Sequence, residues 1–310
     1  MNEFEELTRN TRTIIRNTRH GAELPLRIIA IVFGALIYVM AGVFGLMLRI
    51  PGVKGEYIEL LAEYGYDEAS AAQVLNVLGK IGFACLLLAL ACAAVILIVS
   101  IYRQYALEMS YAVKVSPKNF PEIYEKSCEM ATKLGLKKLP EVYVAQENGS
   151  LNAFSAKVFG KNYLQLNSEI VDIAYMENKD FDTVYFVMAH EMGHIYFRHV
   201  GILYNLMILI FRLIPIIGPA LSRAQEYSAD RVAQALCDDR NSVECMMLLA
   251  AGRHLYKHAD VHDYLERINM NHNWLERFAR LLVNLFADHP IAPFRTRAIL
   301  DPQRKSGRLF

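Results

Sequence analysis

Two long stretches near the start of the chain, residues 28–48 and 81–101, are apolar and contain no formal charge. A helix needs about 20 apolar residues to cross the hydrocarbon core of a bilayer, and each stretch is long enough. The first follows a charged lead and is longer than the apolar part of a signal peptide. The pattern therefore predicts a transmembrane helical hairpin over residues 28–103. A buried hairpin in a soluble protein is the alternative interpretation.

Residues 104–310 contain shorter apolar segments, mostly with helical periodicity, which predict a second, mainly helical domain. The pattern is helical over residues 121–134, whereas residues 141–145 and 162–166 alternate like short strands. Beyond about residue 168 the chain has a helical pattern. The predicted fold class is therefore α+β and mainly helical, with an N-terminal transmembrane helical hairpin followed by a domain that contains a small sheet.

Composition and charge support a membrane protein and indicate its orientation. The chain is 54% hydrophobic and only 21% charged, which is unusually apolar for a soluble enzyme. The loop at residues 49–80 is mainly acidic, whereas the lead at residues 1–27 contains Arg9, Arg12, Arg16, Arg19 and Arg27. The positive-inside rule places this basic lead in the cytoplasm and, after two spans, the C-terminal domain as well. The five cysteines lack a CxxC spacing, which fits a reducing compartment, and a net charge of +1 gives no reason to expect nucleic acid as a partner.

The sequence HEMGH at residues 190–194 follows an apolar run and is expected on a buried helix. Histidines four residues apart share one helix face, where both imidazoles can bind a single ion. A catalytic zinc usually takes three protein ligands and leaves one position for water. Glu191 can reach that water without binding the metal. The motif predicts a zinc site with its own general base, and the alternative is a buried helix that carries these residues by chance.

His199 is a poor candidate for the third ligand. Nine residues after His190, it would lie about 180° around a continuing helix and point away from the site. The metzincin pattern would need Gly at position 197 and His at position 200, which hold Phe197 and Val200. The metzincin class is therefore excluded.

A better candidate is Glu226, in the helix-competent segment SRAQEYSAD at residues 222–230. Its carboxylate would complete a set of two histidines and one glutamate, as used by catalytic zinc proteases. Asp230, one turn later, can accept a hydrogen bond from the outward nitrogen of a ligand histidine. A solvated helix face is an equally good interpretation of this spacing.

Four motifs in this order resemble the M48 peptidases, which include a heat-shock membrane protease and a CAAX-processing protease. They cover about residues 120 to 300: Asn152-Ala153-Phe154, HEMGH at 190–194, SRAQEYSAD at 222–230, and His289-Pro290 followed by Arg295. The resemblance implies a gluzincin-type HExxH metalloprotease domain at residues 104–310. It also implies one Zn²⁺ per chain bound by His190, His194 and Glu226, with Glu191 as the base.

The resemblance implies further roles around that centre. Asp230 would orient a ligand histidine, and Asn152, Ala153 and Phe154 would bind substrate at an edge strand. His289 and Arg295 would stabilise the oxyanion near the scissile carbonyl, and the resemblance allows His289 to approach the zinc in a resting state. From the residues alone, Asn152 is equally typical of a turn, His289-Pro290 of a helix start and Arg295 of a surface charge.

Two positions depart from the pattern of the family. Asp288 stands where the family often has Thr or Ser, and Ser155 stands where it often has Ala. Neither residue is expected to touch a metal ligand.

A third apolar region, residues 200–220, interrupts the catalytic half of the chain. A single membrane crossing here would put His194 and Glu226 on opposite sides of the membrane. Two crossings need about 40 residues, which is more than the chain has between those two positions. Asn205, Arg212, Pro215 and Pro219 also interrupt the apolar pattern. The region is therefore expected not to span, but to form a helix and a bent return that either dips into the membrane interface or packs on the hairpin.

Together these observations predict a membrane-anchored zinc metalloendopeptidase that cleaves protein or peptide substrates, membrane proteins included. The resemblance implies a role in membrane protein quality control in the inner membrane of a bacterium. The alternatives are a zinc-stabilised membrane chaperone or scaffold without proteolysis, and a CAAX-type processing protease, whose large intramembrane chamber two spans cannot form. A histidine series at residues 254, 258 and 262 can be interpreted as a second metal site, but its polar surroundings favour an exposed helix end. No oligomeric state is predicted.

Overall fold

The computed structural model describes residues 19–47, 50–79, 83–147, 149–177, 181–237, 239–269 and 273–301. Its helices, numbered in chain order, are α1 (Glu23–Met47), α2 (Pro51–Glu63), α3 (Glu68–Val77), α4 (Phe83–Tyr111), α5 (Pro121–Leu134), α6 (Ser168–Asp172), α7 (Asp182–Tyr196), α8 (Ile202–Arg212), α9 (Ile217–Leu236), α10 (Asp239–Ala251), α11 (Val261–Asn269), α12 (Trp274–Phe286) and α13 (Ala292–Leu300). The strands are β1 (Val113–Lys114), β2 (Glu141–Ala145), β3 (Ala153–Val158) and β4 (Lys161–Asn167). This mainly helical fold with one small sheet confirms the predicted class.

Helices α1 and α4 are long and apolar enough to cross a membrane. Their candidate spans, Glu23–Met47 and Leu87–Tyr111, have mean hydropathies of 2.5 and 2.0. Only 17% of the first apolar window and 0% of the second is buried within the protein. Such a large exposed apolar surface is unusual for a soluble domain. Arg9, Arg12 and Arg16 of the predicted basic lead lie outside the described residues.

The connection between the two long helices is more ordered than the sequence suggested, because it contains helices α2 and α3. Pro51 occupies the first turn of α2, where its missing N–H costs no hydrogen bond. Asp67 caps α3, since its carboxylate accepts a hydrogen bond from the Ser70 N–H at 3.0 Å. Both are ordinary helix-start signals, but the prediction treated the whole segment as a loop.

The sheet has the order β1-β2-β4-β3, so β3 is an edge strand. Strands β3 and β4 form an antiparallel hairpin, whereas β2 and β4 pair in parallel. The hairpin turn uses Phe159 and Gly160, which both have positive φ angles of 44° and 80°. Such turns match the twist of the flanking strands. The structure confirms the predicted α5 and β2, while the two-residue β1 was not predicted.

Helix α8 shows how the third apolar region is accommodated. It has 11 residues and ends at Arg212, so it is too short to span a bilayer, as expected. It packs tightly on α1, where a Cβ at Gly34 would overlap the carbonyl oxygen of Met207. The Tyr38 hydroxyl also donates a hydrogen bond to the Leu206 carbonyl at 3.3 Å. Of the two arrangements considered, the structure has the helix packed on the hairpin.

Candidate active site

The HEMGH motif lies on α7, which is buried between the sheet and helix α9. Gly193 sets the separation of the two helices, because a Cβ at this position would lie 3.1 Å from both Ala229 Cα and Val232 Cβ of α9. Only a residue without a side chain permits this approach without displacement. The close contact brings Glu226, near the middle of α9, to the imidazole face of α7.

Three side chains converge at this contact. Nε2 of His190 lies 3.2 Å from Nε2 of His194, and these atoms lie 3.4 and 3.3 Å from the carboxylate oxygens of Glu226. One ligand atom from each residue falls within 4.8 Å of the others. Two imidazole nitrogens and a carboxylate are the donor set of many catalytic zinc sites, so these residues fit a zinc ion.

The electrostatics of the cluster also suit a cation. Burial opposes charge on Glu226, but hydrogen bonds from three histidines hold the pKa of its carboxyl well below the usual value. Burial likewise opposes charge on His190, yet hydrogen bonds to Asp230 and Glu226 outweigh it and raise the pKa of His190 to about 10. The pocket therefore attracts positive charge, and a metal ion would have to displace the proton on His190.

Behind His190 lies a carboxylate held by an arginine. Asp230 Oδ1 is 2.8 Å from His190 Nδ1, the ring nitrogen that faces away from the cluster. Arg295 donates two hydrogen bonds to Asp230, from Nε to Oδ2 at 2.8 Å and from Nη2 to Oδ1 at 2.6 Å. Although burial alone would raise the pKa of Asp230, Arg295 lowers it to about 2. Asp230 is thus a charged acceptor that fixes the orientation of the His190 ring.

Glu191 faces the edge strand rather than the three converging side chains. The Ser155 hydroxyl on β3 donates a hydrogen bond to Glu191 Oε2 at 2.7 Å. No role was predicted for Ser155, which stood out only as a departure from the family pattern. The contact could have been anticipated only by placing β3 beside α7, and the pairing of a strand with a distant helix has no local signal.

A cavity of about 690 Å³ opens in front of these groups and is lined by the predicted substrate residues Asn152, Ala153 and Phe154. The side chain of Asn152 is exposed, and its carbonyl accepts a hydrogen bond from the Asn167 N–H at 3.1 Å. The ring of Phe154 packs against Tyr163, with centroids 6.0 Å apart. The edge strand thus forms one wall of the cavity.

His289 also lines the cavity, together with Asp288. Its side chain is 71% exposed, and Nδ1 lies 3.0 Å from Glu226 Oε2. The hydrogen bond to Glu226 raises the pKa of His289. The structure therefore brings His289 to the cluster, whereas Arg295 reaches it mainly through Asp230, with Nη1 3.7 Å from Glu226.

The expectation that His199 points away from the site was wrong. Helix α7 ends at Tyr196, Arg198 adopts a left-handed φ of 60°, and the chain reverses. As a result His199 Nδ1 lies 2.9 Å from Nδ1 of His194. His199 is nevertheless not one of the converging residues, since it contacts the outward nitrogen of His194. Burial lowers the pKa of His199 to about 4.

Elsewhere the described ranges contain no second cluster of three potential metal ligands. His262, one of the histidines considered for a second site, pairs instead with Glu266 at 3.1 Å. Its side chain is 85% exposed, as expected of a helix surface.

A buried HExxH helix, a glutamate from a second helix and an edge strand beside Glu191 form the arrangement that is typical of metallopeptidases. The model of Peptidase family M48 matches residues 117–218, a segment that holds strands β2 to β4 and the whole HEMGH motif. This match supports an M48 family metallopeptidase, as the motifs predicted. Glu226, Asp230, His289 and Arg295 lie beyond the matched segment and are placed by geometry. No curated protein matches the chain.

Proposed function

We propose that the chain is a membrane-anchored zinc metalloendopeptidase that cleaves protein substrates, including membrane proteins in quality control. The observation that carries this proposal is the convergence of His190, His194 and Glu226, with Glu191 lining the same cavity. The three ligand residues would hold one Zn²⁺. When bound, the ion would polarise the scissile carbonyl and lower the pKa of a water molecule.

Residues of the protein would carry out proton transfer, stabilise the oxyanion and position the substrate. Glu191 would take the proton from the attacking water and deliver it to the leaving amine. His289, exposed at the cavity and with a raised pKa, would donate a hydrogen bond to the developing oxyanion. Because two nitrogens of Arg295 are engaged by Asp230, we assign Arg295 a positioning role. An extended substrate segment would pair with the free edge of β3.

The proposed membrane anchor rests on the exposed apolar surfaces of α1 and α4. The orientation is supported by a contact between the start of α1 and the end of α7. Arg27 donates hydrogen bonds to the carbonyls of Phe197 and Arg198, at 2.8 and 3.4 Å. The N-terminal end of α1 and the candidate site would therefore lie on the same side of the membrane. The arginine-rich lead makes this the cytoplasmic side.

The proposal is tested on the full-length chain. It should remain in the membrane pellet after alkaline carbonate extraction, and the detergent-purified protein should contain about one zinc per chain. It should cleave a denatured protein probe, lose this activity on chelation and regain it when zinc is added back. A zinc-loaded protein that binds the probe without cleaving it would instead support the chaperone alternative, and release by carbonate would contradict the anchor.

Replacing Gly193 with Ala should weaken zinc binding by about 10-fold, as loss of a supporting group does. The added Cβ would press on the backbone of α9 at Ala229 and move Glu226 away from the histidines. Competition with a chromogenic chelator measures the change. Gly201→Ala is the matched control, because its Cβ would meet nothing closer than Tyr204 Cβ at 3.7 Å. Equal zinc affinities in the two variants would contradict the role of Gly193.

A further inference from the structure

The C-terminal end of α7 explains why His199 meets His194. The His199 N–H donates to the His194 carbonyl at 2.9 Å, and the Arg198 N–H donates to the Ile195 carbonyl at 3.1 Å. With Arg198 in the left-handed region, these two bonds form a Schellman motif. That motif commonly brings the side chain after the left-handed residue against the side chain five positions earlier. Here the two side chains are imidazoles.

The far side of His199 meets a buried carboxylate from the first helix. His199 Nε2 lies 3.1 Å from Oε1 of Glu23, which is 176 residues away in sequence. Glu23 is 0% exposed, and its other oxygen accepts a hydrogen bond from the Ser228 hydroxyl. A fully buried carboxylate is costly unless its partners are in place. Its partners are His199, Ser228 and Arg19, whose Nε lies 3.5 Å from Oε1, and its position at the start of α1 depends on them.

The hydrogen bonds that link His194, His199 and Glu23 allow a consistent placement of protons. If His194 uses Nε2 for the metal, its Nδ1 carries the proton and donates to Nδ1 of His199. His199 must then carry its own proton on Nε2, where it donates to the Glu23 carboxylate. The order His194, His199, Glu23 thus fixes one tautomer for each ring.

The arrangement parallels the one behind the other ligand. His190 donates its outward Nδ1–H directly to Asp230, whereas His194 donates through His199 to Glu23. The hydrogen bonds that start from each ligand histidine therefore lead to a buried carboxylate. Partners of this kind hold the ring in place and strengthen it as a ligand.

We propose that Glu23 and His199 are a positioning pair for His194, through which the first apolar helix completes the metal site. This inference rests on the proposed zinc site. Two further contacts join the start of α1 to the end of α7: the Arg19 guanidinium lies 4.5 Å from the centroid of the Phe197 ring, and Arg27 binds the carbonyls of Phe197 and Arg198. The N-terminal end of α1 is thereby a structural part of the active site as well as the start of an anchor.

Glu23→Gln and His199→Leu in the full-length protein test the pair. Outer partners of ligand histidines contribute about 10- to 100-fold to metal affinity, so both variants should bind zinc that much more weakly. The Co²⁺-substituted variants should also show shifted visible absorption bands, because the His194 ring is no longer held in one orientation. His199→Asn places an amide oxygen near the position of Nδ1 and should bind zinc more tightly than His199→Leu.

Arg27→Gln is the matched control, because it weakens the same contact between α1 and α7 without touching either imidazole. It should lower the unfolding temperature and leave zinc affinity within about 3-fold of wild type, below the range of outer-partner effects. Wild-type affinity and an unshifted cobalt spectrum in both Glu23→Gln and His199→Leu would overturn the positioning pair alone. His199→Asn keeps the test valid if Glu23→Gln does not fold. A wild-type chain that binds neither ion would overturn the proposed zinc site itself.

Discussion

Peptide hydrolysis should fall on the order of 10²- to 10⁴-fold when Glu191 is replaced by Gln, the range expected for loss of a general base. The amide has nearly the same shape as the carboxylate but cannot accept the proton of the attacking water. Glu191 faces Ser155 and is not one of the converging residues, so zinc content should not change. Cleavage of a denatured probe and elemental analysis of the same preparation measure the two quantities.

Ser155→Ala is the control for this substitution. It removes the hydroxyl that donates to Glu191 but keeps the carboxylate, and Ala is the residue that the M48 pattern often has there. A hydrogen bond to a charged group is worth about 1.5 to 3 kcal/mol, so activity should fall by about 10- to 100-fold at most and stay above that of Glu191→Gln. Undiminished activity in Glu191→Gln would remove that residue from the mechanism, whereas loss of zinc would make it a structural group instead.

Much of this site was predictable because its signals are local. The spacing of His190 and His194 places both rings on one helix face, and the alternating pattern at residues 141–145 specifies a strand. Even the behaviour of residues 200–220 followed from a simple constraint, namely that Glu226 must return to the histidines. In the structure α8 is short, and Glu226 on the following helix converges with His190 and His194.

The contacts that sequence missed depend on where a helix stops and on what packs against it. His199 was placed by assuming that α7 continued, whereas the left-handed Arg198 reverses the chain after Tyr196. Arginine is not a typical residue for that conformation, so the usual glycine signal was absent. Glu23 was assigned to a basic lead, and its burial beside His199 is a tertiary contact with no local pattern.

Replacing Glu226 with Gln should lower zinc affinity by at least about 100-fold, more than the loss expected for an outer partner. Glu226 provides the only carboxylate among the converging residues, and a neutral amide is a weaker ligand. The change also removes the negative charge that lies 3.0 Å from His289 and 3.7 Å from Arg295. Arg295 keeps its pairing with Asp230, but less negative charge then remains to attract the metal, which further disfavours binding. Chelator competition and the metal content of the purified protein measure the loss.

Glu266→Gln makes the same chemical change beside another histidine, since Glu266 pairs with His262 at 3.1 Å on an exposed surface. It should leave zinc content and activity at wild-type levels, because surface ion pairs contribute little. Wild-type zinc affinity in Glu226→Gln would show that the third ligand lies elsewhere, and His289 is then the nearest candidate. The double variant Glu226→Gln with His289→Ala decides that case: zinc retained by the single variant and lost by the double variant would make His289 the ligand.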